Sequence, residues 1–358
     1  MPVAAEAPSA FEVRAPKSEF PFWKWPVSIG LATVLLYFAL RGVDWRQAWI
    51  ILSHCRLKYL ALACACSALS YVVRAMRWRL LLTAQEKLAP ATVLWASSVG
   101  YLANAYLPAR AGELVRTAMI SSRSRLSKTY VFAMAMTERV IELVILVIMT
   151  SLMSMTLTFK PLWLSRTLLL VTIGAAVGTV FLLVLPKVDR AGTRFIAGLP
   201  LGPGAQNRLR EIAAHIALAL TAVRNPLRLS KVCALSAVVW TLDATAAVIL
   251  AHALGMRLFF SVALLLSTGL ALGSALPSTP GALGIFQLVA VTVLMPFNFT
   301  QTDAAIYTLV AQAGSYVVIT TLGLVGLWQY RVSRVFETQV IRPVIDSDGR
   351  SKRIESLT

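Results

Sequence analysis

Residues Gly100–Arg116 read GYLANAYLPARAGELVR, and the fold turns on how this stretch is taken. It lies in a strongly apolar chain, yet it carries Asn104, Arg110, Glu113 and Arg116, with Pro108 and Gly112 between them. Proline cannot continue a helical hydrogen-bond ladder and glycine loosens one, so a membrane helix breaks at Leu107–Pro108. Hydrocarbon offers the freed backbone groups no partner. Such a break survives only where protein buries it or where it lines a wet cavity. Glu113 and Arg116 share a face if a helix restarts near Gly112. Two readings follow: a juxtamembrane loop with lipid-facing positive charge, or a polar site inside a transporter.

The surrounding composition favours the second. Of 358 residues, 58% are hydrophobic and 14% charged, where a soluble domain has roughly 25% charged. Mean hydropathy is +0.72. The net charge of +18, from 34 Lys+Arg against 16 Asp+Glu, would suggest nucleic acid in a soluble protein. Here the charges fall between apolar runs, so membrane topology and anionic lipid explain them, and no nucleic-acid partner is expected. Cys55, Cys64, Cys66 and Cys233 are scattered in or beside apolar segments. Cys64 and Cys66 would point apart on a helix, so no metal site is expected. No small-residue cleavage site follows the first apolar run, which is read as uncleaved.

Taken in order, residues 1–20 form a disordered tail and residues 21–335 a transmembrane domain. Its first half covers about 21–186, a cytoplasmic connection 187–231, and a second half 232–335; residues 336–358 are a disordered cytoplasmic tail. Apolar runs are expected to span at Pro26–Leu40, Leu57–Val73, Thr129–Phe159, Leu162–Leu185, Val232–Leu254, Leu258–Leu276, Ile285–Phe297 and Ala304–Trp328. A surface helix with Trp45, Trp49 and Ile50 inward fits the first connection, and Ala205–Val223 reads as another amphipathic helix. Segments 74–87, 109–128, 187–231 and 331–358 are basic; 187–231 alone holds eight Lys/Arg. All four belong on the cytoplasmic side. Segments 74–87 and 109–128 can share that side only if Val93–Leu107 enters and leaves there; it is either a re-entrant hairpin, or it spans and the count of spans differs by one. The expectation is an all-α polytopic membrane protein with about eight transmembrane helices plus re-entrant or broken helices, multi-pass in the inner membrane, with both termini cytoplasmic.

A second broken segment, LPSTPGALG at Leu276–Gly284, contains Pro277, Pro280, Gly281 and Gly284. Both breaks set Leu-Pro four residues before glycine. Paired interrupted segments point to a duplicated, inverted-repeat transporter with its site at the repeat interface.

Charges also fall within the apolar runs. Glu138 lies ten residues beyond Lys128, roughly 15 Å into a ~30 Å hydrocarbon core. Glu138 and Glu142 share a helix face, and Arg139 reaches Glu142 at i,i+3. Each such charge costs about 2.5–3.5 kcal/mol at a helix centre, so all three face protein or water. They form either a packing network or a transport site. Asp243 is equally deep and pairs either with an arginine of the first broken segment or with Thr241 and Thr245. Arg74 and Arg77, with Trp78 and Arg79, end a span. They act as a snorkelling anchor or as a clamp on a headgroup phosphate, for which the arginine fork is suited. His54, His215 and His252 carry no functional signal.

Enzymatic motifs are lacking in the sequence: no His-Glu-x-x-His, no Gly-x-x-x-x-Gly-Lys, no Gly-x-Ser-x-Gly. Neither an enzyme nor a cofactor is expected, and any transport would be passive or ion-coupled.

Four motifs carry a family resemblance. They are Arg74-x-x-Arg77-Trp78-x-x-Leu81-Leu82, Asn104-x-x-Leu107-Pro108-x-Arg110-x-Gly112-Glu113-x-x-Arg116, Thr137-Glu138-Arg139 with Glu142, and Pro277-x-x-Pro280-Gly281-x-x-Gly284-x-x-Gln287. In this order they resemble the lysylphosphatidylglycerol synthase transmembrane family, also called flippase-like membrane proteins, over about residues 25 to 335. That family includes the membrane half of the multiple peptide resistance factor, which flips aminoacylated phosphatidylglycerol. It also includes stand-alone members tied to glycolipids, hopanoids or polyprenyl-linked sugars. The resemblance implies a flippase for an anionic phospholipid, glycolipid or similar amphiphile, alone or with a lipid-biosynthesis enzyme as partner; the alternatives are a non-catalytic accessory subunit of a lipid-modifying or envelope-assembly system, and an intramembrane transferase with Glu138 or Asp243 as base. The candidate substrate contacts are Arg74, Arg77, Asn104, Arg110, Glu113, Arg116, Glu138, Arg139, Glu142, Asp243 and Gln287, while Pro108, Gly112, Pro277, Pro280, Gly281 and Gly284 are helix-break positions. Two positions depart from the family pattern: Ala282 replaces a second glycine, and Gln287 replaces a glutamate. No aminoacyltransferase domain follows the last span, so synthesis of lysyl lipid is not expected.

Overall fold

The computed structural model describes residues 40–107, 111–157, 203–221, 224–274 and 282–340, together with positions 37, 166, 169, 172–174 and 176. Every element among them is helical. The expected spans at Pro26–Leu40 and Leu162–Leu185 fall almost wholly outside the described residues, as do Pro108, Arg110, Pro277, Pro280, Gly281 and both far termini.

Ten α-helices follow in order: α1 Trp45–Ser53, α2 Leu57–Leu82, α3 Pro90–Tyr106, α4 Gly112–Ser121, α5 Lys128–Ser154, α6 Pro203–Thr221, α7 Pro226–Ala253, α8 Phe260–Gly273, α9 Ile285–Leu294 and α10 Gln301–Val340. Their starts are written locally. Asp44 accepts hydrogen bonds from the amides of Arg46 and Gln47 to open α1, and Ser127 accepts from Tyr130 N to open α5. Asn225 caps α7, which has proline in its first turn. Each side chain satisfies amides that the helix itself cannot.

Three helices, α2, α7 and α10 (as far as Val332), are long and apolar enough to cross a membrane. Helix α5 matches them in length but carries Glu138, Arg139 and Glu142. The exposure pattern is that of a membrane protein. Leu62, Leu69 and Met76 of α2 lie exposed, while Arg77 of the same helix is 1% exposed. Apolar side chains face out and charge faces in, the reverse of what water would select.

The longest interface joins α2 to α7, and α10 lies along α3. Helix α4 folds back on α3, and α8 on α9. At the first break the approach is tight. A Cβ on Gly112 would collide with the carbonyl oxygen of Gly100 and with the side chain of Asn104. At the second, Gly284 has φ +84° and Ala282 φ +53°, so the family departure at Ala282 puts a side chain at a left-handed backbone position that favours glycine. In both breaks a side-chain amide captures a glycine N–H. Asn104 Oδ1 takes Gly112 N at 2.8 Å, and Gln287 Oε1 takes Gly284 N at 2.7 Å.

One expected boundary differs. The second span does not stop at Val73; α2 continues to Leu82, because carboxylates from other helices replace water around Arg74 and Arg77. On α1, Trp45, Trp49 and Ile50 face away from the protein, as an interfacial helix would present them to lipid, and Ala48 is the residue α1 buries. That small side chain lets α1 lie close against Ala305 and Ile306 of α10.

Candidate functional site

Glu138 and Glu142 lie four residues apart on α5, which places both carboxylates on its inner face. Helix α2 presents Arg74 and Arg77 to them, α4 presents Glu113 and Arg116, and α7 presents Asp243. Five of these charges and Arg139 of α5 close a ring of alternating sign. Arg116 bridges Glu113 (2.5 Å) and Glu138 (3.1 Å). Arg77 bridges Glu138 (2.8 Å) and Glu142 (3.5 Å). Arg139 bridges Glu142 (2.9 Å) and Glu113 (2.7 Å). A branch leaves the ring at Glu142, which also pairs with Arg74; Arg74 in turn holds Asp243 at 2.5 Å. Asp243 therefore pairs with α2, not with the first broken segment.

The cluster has a floor and a rim. Side-chain exposure is 1% at Arg77 and Glu138 and 2% at Arg116, but 30% at Arg139 and 25% at Asp243, with Arg74 between at 12%. Two tryptophans bracket it. The Arg116 guanidinium lies 4.3 Å from the Trp78 ring centroid, and that of Arg74 lies 5.2 Å from Trp240. Trp240 Nε1 donates to the Glu142 carbonyl at 3.1 Å, and Arg77 donates to Ser236 Oγ at 3.1 Å. An arginine over an aromatic face keeps its charge partly solvated where water is scarce.

Ten sequence-level candidates can thus be placed. Arg74, Arg77, Glu113, Arg116, Glu138, Arg139, Glu142 and Asp243 meet in one cluster. Asn104 supports it by fixing Gly112, where α4 begins. Gln287 hydrogen-bonds instead to Gly284 and to Gln312, as part of the second break. Arg110 lies outside the described residues. Ser236 and Trp240 were not singled out from sequence, although Ser236, Trp240 and Asp243 fall at i, i+4 and i+7, one face of a helix.

The family model of the lysylphosphatidylglycerol synthase transmembrane region matches residues 25–323. The chain belongs to this family. No relative among curated proteins matches it. Membership makes this a multi-pass membrane protein tied to lipid metabolism or transport, and the paired charges occupy helices that the family match covers.

Proposed function

We propose that this family member is a flippase that moves a phospholipid, glycolipid or other anionic amphiphile across the cytoplasmic membrane. The observation carrying this reading is the rim: the partly exposed Arg139, Arg74 and Asp243 form, through the buried Glu142, a line of alternating charge across α5, α2 and α7. A headgroup phosphate could compete with Asp243 for Arg74, or with a glutamate for Arg139, and accept a bidentate bond. At Arg139 the displaced glutamate keeps a second arginine, Arg74 for Glu142 or Arg116 for Glu113, so no charge there enters hydrocarbon unpaired. The buried floor of Arg77, Glu138 and Arg116 suits a scaffold that holds the rim in register.

The reading includes a topology: about eight spans with α8 and α9 counted among them, both termini cytoplasmic, the α3–α4 hairpin re-entrant from that side, and the break between α8 and α9 the counterpart of the first break in an inverted repeat. Glycine amides captured at both breaks support the correspondence. It also treats the chain as a transporter and not an enzyme, with a lipid-biosynthesis enzyme as a natural partner. Purified protein in liposomes containing headgroup-labelled phospholipid tests it. Faster exposure of the inner-leaflet label to a membrane-impermeant quencher is expected. No acceleration over empty liposomes, for phospholipid and glycolipid alike, would overturn the proposal and favour a subunit role.

A further inference from the structure

A partly open pocket, of about 600 Å3, lies where the end of α2, the start of α5 and helix α6 meet. It is separate from the charged ring: Tyr130 on its wall precedes Glu138 by eight residues, roughly 12 Å along α5. Two residues that line it each carry a buried polar atom without a hydrogen-bond partner among the described residues, the hydroxyl of Tyr130 and Nδ1 of His215, and a small shift of either side chain would present it to the pocket. Tyr130 is 2% exposed. A buried hydroxyl left unpaired costs about 1–3 kcal/mol, so such a group points to a partner that binds there. The electrostatics select the partner. The cavity opens at the N-terminus of a 27-residue helix, where the helix dipole favours negative charge. Arg125 lines it too and offsets the charge of Glu86, whose carboxylate accepts a hydrogen bond from the Arg125 amide at 2.8 Å.

We propose that this cavity binds a phosphate-bearing anion, with Tyr130 and His215 as hydrogen-bond donors and Arg125 as counter-charge. The shared chemistry is a phosphate oxygen, whether on a lipid headgroup or free in solution. The site is separate from the flipping path, so its occupancy does not depend on that reading.

The test is calorimetric titration of the full chain in detergent with inorganic phosphate and, separately, with dihexanoyl phosphatidic acid. Wild type is expected to bind at least one probe, and Tyr130→Phe and His215→Ala each to weaken that binding about tenfold, as expected for a hydrogen bond to a charged group. Binding of phosphatidic acid alone makes a lipid the source; binding of both makes the phosphate group sufficient. Tyr130→Phe removes only an unpaired hydroxyl, so without a probe its melting temperature should equal or exceed that of wild type. Failure of both probes to bind, or full-strength binding by Tyr130→Phe and His215→Ala, overturns the site.

Discussion

Arg77 and Glu138 are each 1% exposed and hold each other at 2.8 Å, a geometry in which one partner alone is a liability. Arg77→Met should destabilise the protein by about 3–5 kcal/mol, since it removes one side of a buried pair. Arg77→Met with Glu138→Leu should recover most of that loss, because Arg116 keeps Glu113, and Glu142 keeps Arg74 and Arg139. Melting curves in detergent for both singles and the double give the coupling energy; a double as unstable as the sum of its singles would contradict the pairing. Replacing only Glu138, Arg139 and Glu142 would be a poorer test, because it strands Arg77 without a carboxylate. The sequence showed those three charges because their spacing lies within one helix. It could not show that Arg77, 61 residues before Glu138, closes the ring from α2. Contacts at that separation depend on how helices dock, which no local pattern records. His215 was illegible for the same reason.

At the scale of elements, the two helical hairpins depend on close backbone approach and on captured amides. Gly112→Ala should force α3 and α4 apart and cost about 1–3 kcal/mol, as over-packing does; unchanged expression and melting temperature would show that the hairpin gives way freely. Asn104→Ala and Gln287→Ala should each leave a glycine N–H without its partner, at a cost of about 1–3 kcal/mol. Comparable losses at the two positions fit the repeat. The hairpins were foreshadowed by Leu-Pro and glycine, which break helices wherever they fall. The end of α2 was not. Arg74, Arg77 and Arg79 looked like a membrane boundary because a sequence displays charges without their counter-charges, and the helix runs on to Leu82.

For the whole molecule, the orientation follows from where basic residues cluster, a rule that acts during insertion and leaves its mark in composition. With the α6 segment on the cytoplasmic side, a cysteine at position 210 in intact cells should resist a membrane-impermeant maleimide and react once the membrane is opened. Labelling from outside would reverse the orientation and remove the re-entrant reading with it. The inverted exposure pattern, leucine outward and arginine inward, is the global counterpart of the ring: an apolar surround raises the cost of an unpaired charge, so each one on the floor has its opposite.

The central claim is that the rim handles the lipid while the floor holds the fold. The variant Arg139→Met with Asp243→Asn separates the two, because it is charge-neutral and leaves Arg74, Arg77 and Arg116 each paired with Glu113, Glu138 or Glu142. In liposomes with headgroup-labelled phospholipid, this double variant should melt within a few degrees of wild type and lose translocation. Translocation at the wild-type rate would contradict the account and make the whole cluster a packing device.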